Sequence, residues 1–118
     1  MKFSTLLFAL YNILKIASYT NTAFKKHIGK VNVRILIKTE DGQRARMFIF
    51  NKGKLSSLAG DQKKFDVALV FQDAETGFKV LSSKKKDASF NAAASGKLKV
   101  LGMSVYAQWF EDGIKLVM

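Results

Sequence analysis

Residues 31–50 constrain this chain more than any other stretch. Val31, Val33, Ile35 and Ile37 alternate with Asn32, Arg34, Leu36 and Lys38, the two-residue period of a strand with one buried face. Thr39-Glu-Asp-Gly42 follows, and Asp-Gly between apolar runs signals a hairpin turn. Arg44–Phe50 reads as the return strand. Its odd positions are Ala45, Met47 and Ile49, and Phe48 and Phe50 occupy even ones. The second half of that strand is therefore apolar on both sides. A strand of this kind sits between two layers or lines an interior.

Helical periods flank the hairpin. Phe3, Leu7, Leu10, Leu14 and Ala17 are spaced by four, three, four and three, which predicts an amphipathic helix over about 3–18. A basic start and a short apolar run resemble a signal peptide. Asn12 and Lys15 interrupt the run, however, and no small-x-small cleavage site follows. The run is also too short for a transmembrane span. Its apolar face is expected to pack on the domain, the alternative being a bilayer. A short second helix is predicted over Thr22–Ile28, stopping at Gly29, with His27 on the surface.

Beyond the hairpin, Asn51-Lys-Gly53 is a turn and Lys54–Leu58 a short strand or edge. Asp66–Gln72 is a continuous apolar run suited to a central strand. Asp73 is placed to cap a helix carrying Ala74, Phe78 and Leu81, and Asp87 to cap a second over Ala88–Ser95. Gly96–Gly102 reads as a half-exposed strand between glycine turns. In Ser104–Met118, Tyr106, Phe110, Ile114 and Val117 lie on one helical face, broadened by Val105, Trp109 and Leu116. Strands cluster first and helices interrupt before the last strand, an α+β order. At 118 residues, with no repeat and no linker, one domain over 1–118 is expected.

Composition narrows the chemistry. Without Cys there is no disulfide, thiol nucleophile or thiolate metal site, and the single His27 excludes a site needing two imidazoles. The acids stand mostly at turns and helix starts, where capping accounts for them. There is no Gly-x-Ser-x-Gly elbow and no phosphate-binding glycine loop. No enzymatic activity, cofactor or metal is expected. Twenty Lys and Arg against nine Asp and Glu leave a net charge of +11, which attracts nucleic acid, anionic membranes or acidic proteins. Only Arg34, Arg44 and Arg46 carry guanidinium forks. That favours diffuse attraction to an anionic surface over base reading.

One ordered set of motifs resembles a known family. Phe90-Asn-Ala-Ala-Ala-Ser-Gly96-Lys97-Leu98-Lys99-Val100-Leu101-Gly102 is similar to the signature of the sterol carrier protein type 2 domains. In that signature a helix leads into Gly-Lys-aliphatic-x-aliphatic-x-Gly and an apolar last helix. Asp66–Asp73 and the Asp41-Gly42 hairpin also match, and Ala107 and Phe110 fall where the family's last helix is apolar. The resemblance implies an α+β fold with about five mostly antiparallel strands, helices on one face and an apolar tunnel between. It implies binding, and in some members transfer, of a fatty acid, acyl-CoA, phospholipid or sterol-like lipid. The chain ends Leu-Val-Met, unlike the peroxisomal tripeptide of many eukaryotic members, and the cytoplasm is the expected compartment.

On that reading the lipid-lining residues are Phe48, Phe50, Phe71, Phe78, Phe90, Met103, Phe110, Ile114 and Val117. Head-group or membrane contacts fall to Lys84, Lys85 and Lys86, or to an Arg on the second strand. Phe and Met suit an acyl chain because they fill irregular apolar space. The expected partners are a lipid ligand and an anionic membrane surface, with the chain a monomer or homodimer. Nucleic acid is not expected, because the Phe residues lie in periodic apolar runs and not on a polar strand face. A regulatory or interaction domain, with the N-terminal helix as contact face, is the first alternative, and a basic nucleic-acid-binding protein the second.

Overall fold

A computed structural model describes residues 2–82 and 94–117. Helices α1 (Lys2–Thr20) and α2 (Thr22–Ile28) precede strands β1 (Asn32–Thr39), β2 (Ala45–Asn51), β3 (Lys54–Ala59) and β4 (Val67–Phe71). Helix α3 (Ala74–Ser82), strand β5 (Leu98–Gly102) and helix α4 (Val105–Val117) follow. The helix expected over Ala88–Ser95 falls largely outside the described residues.

The five strands form one sheet in the order β3-β2-β1-β4-β5. Three pairings are antiparallel, and β1 with β4 is parallel. In the expected hairpin, Ile35 stands opposite Phe48 and Leu36 opposite Met47. The parallel pair sets Ile35 beside Val67 and Leu36 beside Ala68. The connection over residues 60–66 therefore crosses β2 and β1 to reach β4.

The alternation in β1 divides the sheet into two faces. Val33, Ile35 and Ile37 share one face with Phe48, Phe50, Leu55, Val67, Leu69, Phe71 and Leu98. These pack against Leu7, Leu10, Leu14 and Ala17 of α1, Phe24 and Ile28 of α2, and Phe110 of α4. Leu36, Met47, Ala68 and Val70 form a smaller cluster on the other face, covered by Phe65 from the crossing connection with Ala45 and Ile49 beside them. That second layer explains why β2 and β4 are apolar on both sides.

The helix ends are fixed locally. Asn21 Oδ1 accepts from Phe24 N at 3.0 Å and so caps α2, while its Nδ2 donates to Leu116 O at 3.1 Å and holds the end of α4. Asp73 caps α3 by accepting from Thr76 N at 2.8 Å. That backbone bond, with one from the Thr76 side chain, holds the exposed Asp73 carboxyl below its ordinary value. A depressed carboxylate adds stability above the unfolded-state value and loses it as pH falls through the folded one. Asp73→Asn keeps an acceptor but not the titration. It is expected to flatten the acid side of the stability–pH curve, read by urea unfolding at stepped pH.

Candidate lipid-binding interior

The interior between sheet and helices is aromatic because adjacent inward positions of β2 carry rings. The Phe48 and Phe50 rings both meet Phe110 edge-on, at centroid distances of 5.6 and 6.1 Å. Tyr11 of α1 approaches Phe48 at 6.3 Å, and Trp109 meets Phe50 at 4.9 Å. Offset and edge-on pairs of this kind each contribute about 0.5–1.5 kcal/mol beyond their area. Phe48, Phe50, Phe71 and Phe110 are essentially inaccessible, and Ile114 and Val117 pack against the same cluster, partly buried.

Six of the nine sequence-selected lining residues thus converge. Met103 does not join them: it lies 54% exposed in the turn between β5 and α4. Gly102 ends β5 with φ of 85°, and Met103 N donates to Asp66 O. The chain turns there, so the thioether falls outside the helix-covered face. Phe78 belongs to α3, but its side chain, like Phe90, Lys84, Lys85 and Lys86, lies outside the described residues.

Helix α4 closes the interior and is held by a reciprocal clasp. The sequence placed His27 on the surface. The structure instead stacks its ring on Trp109, with centroids 4.9 Å apart and planes 10° from parallel. His27 Nε2 donates to Trp109 O at 2.7 Å, and Trp109 Nε1 donates to His27 O at 3.3 Å. Gly113 serves this contact, since a Cβ there would lie 3.1 Å from the His27 ring. The unfavourable mid-helix glycine is thereby explained by close approach to α2. No sequence period links residues so far apart, so only the tertiary structure reveals the pair. His27→Ala is expected to cost about 1–3 kcal/mol and to red-shift the emission of Trp109, the chain's one tryptophan.

Polar chemistry in the interior is sparse. No buried side-chain nitrogen or oxygen among the described residues lacks a partner, and no described group of three His, Asp or Glu converges on a metal position. Arg46 stands on the inner face at the edge, half-buried, donating to Ser57 Oγ at 2.8 Å and lying 5.4 Å from the Phe8 ring centre. Two described clefts, about 440 and 720 Å³, lie at the end of the sheet where β1 and β4 finish. Their walls are largely polar, with Gln72, Asp73 and Glu75 in both. No described helix is long and apolar enough to cross a membrane.

No family profile matches the chain, and no curated protein sequence matches it. Solved structures do match. A ubiquinone synthesis protein, UbiJ-SCP2, superposes with a TM-score of 0.72 at 15% identity, covering 92% of this chain and 88% of that one. A crystal structure of sterol carrier protein 2 gives 0.61 at 14% identity, covering 92% and 93%. The inverting sec-alkylsulfatase Pisa1 from Pseudomonas sp. gives 0.59 at 16% identity, over 79% of this chain but 14% of the enzyme. The fold therefore stands alone in some proteins and as a small part of a larger one in others. Five strands in mixed array, helices on one face and an apolar last helix agree with the resemblance in the sequence: the chain has the fold of the sterol carrier protein 2 structures.

Proposed function

We propose that this protein is a non-catalytic lipid binder. It holds the apolar part of a fatty acid, acyl-CoA, phospholipid or sterol-like molecule between the sheet and α4. One observation carries the reading: Phe48, Phe50 and Phe71 gather on the inner face of the sheet, beneath a helix that brings Phe110, Trp109, Ile114 and Val117 against them. Each methylene buried there contributes about 0.8 kcal/mol without a polar contact. These rings fill the interior, so ligand entry displaces side chains and shifts α4 outward. The likeness to sterol carrier protein 2 supports the same reading. A carboxylate or phosphate head falls to Lys84, Lys85 and Lys86.

Mass spectrometry of an organic extract of the purified protein is expected to find a bound lipid. A fluorescent fatty acid is expected to bind and to be displaced by unlabelled oleate. Ile114→Trp adds bulk to the inner face of α4 and is expected to weaken that binding about tenfold. Overpacking lowers stability by about 1–3 kcal/mol, so the variant should stay folded. No extracted lipid together with no displacement overturns the proposal.

A further inference from the structure

Among the described residues, Arg46 is the only charged side chain on the inner face of the sheet. It stands opposite Ile37 of β1 and Ala59 of β3, and Phe48 is the next inward residue along β2. Such positions on one strand are about 7 Å apart. Half-burying a guanidinium costs free energy unless it is paired. Arg46 forms no ion pair with a described carboxylate. Asp66 pairs with Arg34, Asp61 with Lys38, Glu75 with Lys79 and Glu40 with Lys99. Asp41 and Asp73 accept from their own turns. The described hydrogen bond of Arg46 runs from Nη1 to the neutral hydroxyl of Ser57, at 2.8 Å. A guanidinium presents its donors as a planar fork, and most of that fork is open to another acceptor.

Its neighbours hold the fork in place and keep it reachable. Helix α1 leaves Phe8, Ile13, Ile16 and Tyr19 exposed. Of these, Phe8 lies over the Arg46 guanidinium, whose carbon is 5.4 Å from the ring centre. An aromatic face attracts the cation and restrains its plane. The inner positions of β3 shrink from Leu55 to Ser57 to Ala59 toward the Arg46 end. No bulky side chain of β3 therefore stands between the guanidinium and the sheet edge. Inward from this corner the walls are aromatic. One turn along α1 from Phe8, Tyr11 meets Phe48 edge-on, and Phe48 meets Phe110. A cation at the rim with apolar rings behind it matches an amphiphile with a small anionic head.

We propose that Arg46 anchors the head of the ligand, and that the head is a single carboxylate. This rests on the lipid-binding function proposed above and narrows its ligand to a long-chain carboxylic acid. The two carboxylate oxygens accept side by side from the fork, and the first methylenes lie along Phe48. One guanidinium beside a neutral hydroxyl balances one negative charge, not the two of a phosphate monoester. A sterol or a neutral ester offers the fork no anion. The Lys84–Lys86 run attracts anionic lipids without choosing among them, because each lysine acts as a point charge.

Displacement of the fluorescent fatty acid by three ligands with the same tail tests the anchor: oleate, methyl oleate and oleyl phosphate. The native chain is expected to bind oleate at least tenfold more tightly than either of the others. Arg46→Gln should weaken oleate binding about tenfold, with a much smaller effect on methyl oleate, so that the two converge. Arg46→Lys keeps the charge without the fork and should recover less than half of that loss. The affinity of each variant for the fluorescent probe is measured first, and thermal melts establish that both fold. Methyl oleate displacing as well as oleate from the native chain overturns the anchor and leaves the lipid-binding function standing. Displacement by none of the three sinks that function, and the anchor with it. Tighter binding of oleyl phosphate than of oleate overturns the carboxylate assignment. So does an oleate preference that survives Arg46→Gln and disappears when Lys84, Lys85 and Lys86 are replaced by Gln.

Discussion

Phe110→Ala is expected to lower the free energy of unfolding by about 3–5 kcal/mol, measured by urea titration of circular dichroism. Phe110 is 2% exposed and is the ring on which Phe48 and Phe50 converge. Its removal deletes buried carbon, leaves a cavity and breaks two edge-on contacts at once. The variant also separates two accounts of the interior. If the interior admits a lipid, the space left by the ring enlarges the volume open to an acyl chain. Oleate should then restore part of the lost melting temperature, because a ligand that binds only the folded state stabilises it. If the interior is core alone, stability falls and oleate changes nothing.

Gly102→Ala is expected to cost about 2–4 kcal/mol, although it changes one exposed position at the end of β5. Gly102 has φ of 85°, and a Cβ there would overlap the backbone oxygen of Asp66. That oxygen is already committed to Met103 N at 2.9 Å. The other groups of Asp66 are engaged too: its N donates to Arg34 O, and its carboxylate accepts from Arg34 N at 2.7 Å. Strain at Gly102 is therefore passed to the start of β4 and to the entry of α4. Gly96 is the control. It has φ of 78° and no described residue within 4 Å of the added Cβ, so Gly96→Ala reads mainly the backbone term, about 1–2 kcal/mol. Comparable losses for the two would show that the contact with Asp66 yields easily.

Much of this architecture was legible from periodicity. The helix at Thr22–Ile28, the strand pair around Asp41-Gly42 and the last helix stand where the spacing puts them. The inner face of the first helix was also legible, since Leu7, Leu10, Leu14 and Ala17 are buried. Its outer face was not. Phe8, Ile13, Ile16 and Tyr19 share no single clean period, and a helix with one good apolar stripe draws no attention to a second. A consequence is that Leu7→Glu with Leu10→Glu would disrupt the core before it tested any contact surface. Met103 was assigned inward from its residue type, while the turn made by Gly102 carries it outward. The His27–Trp109 clasp had no signal because stacking across separate helices has no sequence spacing.

The parallel pairing of β1 with β4 bears on how the chain reaches this state. The β1–β2–β3 meander needs only local turns and can close early, but β1 finds its other neighbour only after residues 60–66 have crossed the sheet. Non-local pairing is slow because loop closure precedes any reward from contact. During that interval β1 is an open edge with Ile35, Leu36 and Ile37 on both of its faces, and such edges recruit other chains. The most vulnerable species on a ribosome is therefore a chain that has emerged past Ala59 and stopped short of Phe71. Dense positive charge on that fragment, at Lys25, Lys26, Lys30, Lys52 and Lys54, keeps its copies apart until the fourth strand arrives.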